Sequence, residues 1–81
     1  MRVIPTDIRT QRRRLGISQV RLANLASVSR FRLNLWEAGD GSLEDDEIAR
    51  ITAALRREAE ASMRALEALT NMPASTEVGA R

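Results

Sequence analysis
The run Ser29-Arg30-Phe31-Arg32-Leu33-Asn34-Leu35-Trp36 holds the side chains best suited to chemistry in this 81-residue sequence. A guanidinium such as that of Arg30 can donate to O6 and N7 of guanine together, and the amide of Asn34 can serve N6 and N7 of adenine. An exposed Phe31 can lie against a thymine methyl. Leu33 and Trp36 are three apart and share one helical face, which turns the others outward. Arg32 follows Arg30 by two positions, roughly 200° round a helix, and is assigned to a phosphate or to a neighbouring acid. Leu35 either joins Phe31 at a base or packs within the domain. Ser18 and Gln19 open the preceding helical run, where side chains and free N–H groups suit a phosphate. Arg13 and Arg14 are further candidates for the phosphate backbone.

Other chemistries lack their parts. There is no histidine, the commonest general base and metal ligand, and no cysteine for a disulfide or a thiolate metal site. Acids are plentiful, but no glycine-rich phosphate loop accompanies them, so neither an enzyme nor a cofactor or metal site is expected. Aromatic residues make up 2% of the chain, too few to line a deep substrate pocket.

Helices must position the outward arginines. Thr6 can cap a first helix over Asp7 to Leu15, with Asp7 at its start and Arg12, Arg13 and Arg14 at its end suiting the helix dipole. Gly16 can end it in a left-handed conformation, with Ile17 folding back. Ser18 caps a second helix, Gln19 to Ala26. Leu22 and Ala26 share its inner face, and small Ala23 lets another helix cross closely. Ala26-Ser27-Val28-Ser29 is short enough only for a corner, and Ser29 caps a third helix, Arg30 to Glu37. Gly39-Asp40-Gly41 forms a loop. Ser42 is the expected cap of a last helix running from Leu43 to about Asn71, with Glu44, Asp45 and Asp46 in its first turn and no glycine or proline before Pro73.

The first part of that helix places Ile48, Ile51 and Leu55 on one face, which closes a core. In the second part, Leu55, Ala59, Ser62, Leu66 and Leu69 follow a 4-3-4-3 spacing, which is a seam. Met63 and Met72 add apolar surface. A small four-helix core has no surface left for this seam, so Ala59, Ser62, Met63, Leu66 and Leu69 are expected to self-associate. The predicted fold is all-α: a compact helix-turn-helix bundle of four or five helices with a long C-terminal helix. Residues 1–56 form the DNA-binding domain, 57–72 a dimerising extension, and 73–81 a disordered tail.

The charge distribution agrees with this layout. The net charge is only +2, yet residues 1–36 hold eight arginines against one acid, and residues 37–81 hold five arginines against ten acids. A basic front and an acidic rear give one face for a polyanion and another turned away from it. No run of 18 or more apolar residues and no signal peptide is visible, so no membrane contact and a cytoplasmic location are expected.

With those residues in place, the chain resembles the Cro/phage-repressor helix-turn-helix family (XRE type) from about Ile8 to Leu55. The resemblance is carried by Leu15-Gly16-Ile17-Ser18-Gln19, Leu22-Ala23, Val28-Ser29, Leu33, and Trp36-Glu37-Ala38-Gly39. It implies a helical bundle that binds an operator as a dimer. It places Gln19 against a phosphate and gives base reading to Ser29, Arg30, Phe31, Asn34 and Leu35. It also implies an ion pair between Arg12 and Glu37. Three features depart from the family pattern. Ser27 holds a corner position usually occupied by glycine, Phe31 and Leu35 hold reading positions that are often polar, and the last helix is long.

The expected function is sequence-specific binding of double-stranded DNA by a homodimer, most simply a repressor on a palindromic operator. The alternative is an antitoxin-like module that binds DNA while its C-terminal helix grips a different protein.

Overall fold
The computed structural model describes residues 3–71, so the expectations for Met72 and for the tail after it lie outside the described residues. Those residues form four helices and no strand: α1 (Pro5–Arg14), α2 (Gln19–Ala26), α3 (Arg30–Glu37) and α4 (Asp45–Thr70). The fold is all-α with a long C-terminal helix.

Each short helix ends where its local chemistry dictates. α1 closes in a Schellman arrangement, with Gly16 at φ 72° and the Ile17 N–H donating back to the Arg12 carbonyl at 3.1 Å. Ser18 accepts from the Arg21 N–H at 3.0 Å and so caps α2, and Ser29 accepts from the Arg32 N–H at 3.3 Å and caps α3. α3 closes like α1, with Gly39 at φ 92° and the Asp40 N–H donating to the Leu35 carbonyl at 2.8 Å.

Two helix starts differ from the sequence expectation. α1 begins at Pro5, not Asp7, because a proline at the first helical position has no N–H to leave unsatisfied. Thr6 therefore lies inside the helix and does not cap it; its carbonyl accepts from the Thr10 hydroxyl at 2.9 Å. α4 begins at Asp45, not Leu43, and Glu44 takes the cap position in place of Ser42. The Glu47 carboxylate accepts from the Glu44 N–H at 2.8 Å, as in a capping box. Leu43, just before the cap, is needed in the core and is buried there, with Ile48 packed against the same cluster.

The core is built from Ile8, Ile17, Leu22, Ala23, Ala26, Val28, Leu33, Trp36, Leu43, Ile51, Ala54 and Leu55. α2 packs against both α3 and α4, and α1 packs against the same two helices. Ala23 and Ala26 on α2 and Ala54 on α4 are almost fully buried, so the crossing is close. The corner between α2 and α3 is held from α4. Arg50 donates to the Ala26 carbonyl at 2.8 Å and to the Ser27 carbonyl at 3.2 Å, and Asp46 fixes the guanidinium at 2.6 Å.

Ser27 sits at φ 56°, ψ 50°, the left-handed conformation that glycine adopts without a Cβ penalty. Relief of about 1–2 kcal/mol of left-handed strain outweighs the roughly 0.4–1 kcal/mol that a more flexible unfolded chain loses. Ser27→Gly is therefore expected to stabilise the domain by about 0.5–1 kcal/mol in urea unfolding.

Candidate nucleic-acid interface
α3 is seated by Leu33, fully buried, and by nearly buried Trp36. That seating turns Arg30 and Asn34 to the same exposed side of the helix, four residues apart. They meet the start of α2, and Ser18, Gln19 and Arg13 line one shallow polar depression with them. Val20, half exposed, completes its wall. Ser29, at the cap of α3, is exposed, and Phe31 stands outside the core with 70% of its surface exposed. Leu35 is half-buried, and a Cβ added at Gly41 would lie 3.4 Å from its own Cβ, so the loop after α3 packs over it.

Beneath the depression lies a buried ion pair. Arg12 donates through Nε to Glu37 Oε2 and through Nη2 to Glu37 Oε1, each at 2.9 Å. Its remaining Nη1 donates to the Ile17 carbonyl at 2.9 Å. Glu37 has no exposed surface and Arg12 only 7%. Gln19 adds a donation from Nε2 to Glu37 Oε1 at 3.0 Å. The network ties α1, the start of α2 and the end of α3 together. Arg12 also neutralises the one acid under the depression, which would otherwise repel a polyanion. An amide nitrogen carries two hydrogens, so Gln19 keeps one for a ligand while the first holds its side chain in place.

The remaining arginines divide. Arg32 turns away from Arg30 and donates to Glu47 Oε2 at 2.6 Å, with a longer contact from its other terminal nitrogen to the Ser42 carbonyl. Of its two assigned partners, the acid is the one this structure engages. Arg14 does not join Arg13. It lines a groove between α1 and α4, together with Arg56. Arg30, by contrast, makes no ion pair among the described residues and faces solvent.

No family model, no curated protein and no solved structure matches this chain. The site has to be read from its own side chains. They present a forked cation, a primary amide and an apolar ring on one helix, beside a helix start with free N–H groups, with no acid left uncompensated beneath. This can hold a phosphate at the edge and address base edges at the centre. No described helix is long and apolar enough to cross a membrane.

Outside the depression, Ala59 is half-buried at the end of the α1–α4 groove. Ser62, Met63, Leu66 and Leu69 are exposed, as is every residue from 60 to 71. The role of Arg50 is not readable from sequence, because its partners are carbonyls 24 and 23 residues earlier in the chain.

Glu47 carries a second function beyond holding Arg32. The Glu44 N–H and then the Arg32 guanidinium hold its carboxyl below the usual value of 4.5, against the opposing effects of burial and of Asp46. A lowered folded-state value means the contribution is present at neutral pH and is lost as pH falls through that lowered value. Wild type is expected to be more stable than Glu47→Gln at pH 7. The gap in melting temperature should narrow once the pH drops below 4.5. A gap independent of pH would remove the charge from the role.

Proposed function
We propose that this chain is a sequence-specific DNA-binding transcriptional regulator, a dimeric repressor of the Cro/phage-repressor helix-turn-helix type acting in the cytoplasm. α3 enters the major groove and α2 meets the flanking phosphates. The observation that carries this reading is Arg30 with Asn34: a guanidinium free of any ion pair among the described residues and an amide, both exposed on the outer face of a helix whose inner face is locked in the core. Arg30 reads a guanine and Asn34 an adenine, while Ser29 and Phe31 contact neighbouring positions. Ser18, Gln19 and Arg13 position the protein on the backbone.

Two copies place their α3 helices one turn of DNA apart, about 34 Å, on an inverted repeat. Dimerisation uses the α4 extension, whose Met63, Leu66 and Leu69 are each more than 60% exposed. The same exposed stripe supports a second reading, an antitoxin-like chain whose extension binds a different protein, and the oligomeric state of the purified chain separates the two.

The deciding experiment is selection of bound duplexes from random DNA. The expected result is an enriched inverted repeat with a guanine in each half-site, its halves spaced by one helical turn. Retention without any enriched sequence would leave a non-specific polyanion binder and end the base-reading assignment.

A further inference from the structure
The groove between α1 and α4 is floored by Ile8, Leu15 and Leu55, with Arg14 and Arg56 on its rims. On the α4 side it runs from Thr52 to Ala59. Beyond Ala59 the same helical face continues through Met63, Leu66 and Thr70, all exposed. One face of one helix thus carries an apolar recess in its first half and apolar projections in its second.

We propose that the groove receives the α4 extension of a second copy of this chain, the two α4 helices running antiparallel about a dyad near Ala61. Met63 of each copy then faces Ala59 of the other, Leu66 enters the groove beside Leu55 and Arg56, and Thr70 reaches Thr52. This rests on the reading above that the chain self-associates, and it adds the register and the receiving site.

Three observations select this occupant. The first is shape. The recess and its filler lie on the same molecule, and an antiparallel overlay brings each recess opposite each filler, a self-complementary patch of the kind a two-fold dimer needs. A parallel overlay would set recess on recess. The second is charge. Arg56 and Glu67 flank the stripe on the same side, and in the antiparallel register they become neighbours across the dyad, twice. In a parallel pair they would be separated by eleven helical steps, roughly 16 Å at about 1.5 Å each. The third is location. Arg13 faces the depression with Arg30, whereas Arg14 faces the groove, so the dimer covers one side of α1 and leaves the DNA-reading side open.

The chain has no cysteine, which makes the register directly measurable. Thr52→Cys and Thr70→Cys, each in the full chain, are mixed in equal amounts and gently oxidised. The mixed 52–70 disulfide is expected to dominate over both same-site products in intact-mass analysis. Dominant 70–70 product would establish a parallel pair and overturn the register while leaving self-association standing. A dimer by sedimentation that forms none of these links would place the interface elsewhere, with the same consequence. A monomer at all concentrations would remove self-association itself, and the proposal with it. As a second measurement, Arg56→Glu and Glu67→Arg should each weaken the dimer by roughly tenfold, and an equal mixture of the two should restore it, because both cross-dyad pairs are then of opposite charge. Failure of the mixture to restore it would overturn the register even if both chains fold.

Discussion

Arg12→Leu is expected to destabilise the domain by about 3–5 kcal/mol, because it leaves a buried carboxylate without its main partner. Glu37 is fully buried and takes two of its three side-chain hydrogen bonds from Arg12. The Ile17 carbonyl loses a donor in the same substitution. A small domain has a total stability of about 5–15 kcal/mol, so a loss of this size brings the variant close to unfolding at room temperature. Arg12→Leu combined with Glu37→Leu should recover most of the loss, since an apolar pair needs no desolvated charge to be satisfied. Recovery will be incomplete, because Ile17 and Gln19 keep polar groups that the pair had engaged. Urea unfolding of the two single variants and the double variant measures this as a cycle. If Arg12→Leu falls within about 1 kcal/mol of wild type, the pair is not what holds α1 to the end of α3.

The two middle helices were legible because their borders carry clear signals. Ser18 and Ser29 stand alone before apolar-periodic runs, Gly16 closes α1 just ahead of α2, Gly39 closes α3, and α2 has to end where the residues from Ala26 to Ser29 leave room only for a corner. The starts of α1 and α4 were misplaced where two capping devices compete within a few residues. Thr6 resembles a cap, but Pro5 opens the helix two residues before the expected start at Asp7. Ser42 resembles a cap too, but Leu43 is drawn into the core and the acidic box Glu44–Glu47 starts the helix instead. Burial of one leucine decided between two locally acceptable starts, and burial is a tertiary property.

The site was partly legible for a related reason. Leu33 and Trp36 fix which side of α3 faces inward, so the outward position of Arg30, Phe31 and Asn34 follows from spacing alone. Adjacent residues on a helix point about 100° apart, so Arg13 and Arg14 could not both face one ligand, and the structure gives each its own surface. The partner of Arg32 was not readable, since Glu47 comes from an element whose approach depends on how the core closes.

Replacing Arg30 and Arg13 is expected to affect DNA binding in two different ways. Arg30→Ala should cost about 1–3 kcal/mol of discrimination at each half-site, because a bidentate contact to guanine is lost. In the proposed dimer the loss occurs twice, about 2–6 kcal/mol in all, so preference for the selected duplex over random DNA should fall by about 30-fold to about 20,000-fold. Arg13→Ala should weaken selected and random duplexes alike. It removes one phosphate contact per copy, so the slope of log K against log salt should become less negative by about 1.8. Lysine at the same positions separates fork from charge. Arg30→Lys keeps the cation but not the planar fork, so it should lose most of the discrimination while the salt slope stays near wild type. Arg13→Lys should change neither quantity much, since a phosphate needs only a cation at that distance. Fluorescence-anisotropy titrations of selected and scrambled duplexes across salt concentrations give both numbers for each variant. An Arg30→Lys protein with wild-type discrimination would show that Arg30 supplies only charge, and base reading would then have to pass to Asn34 and Phe31.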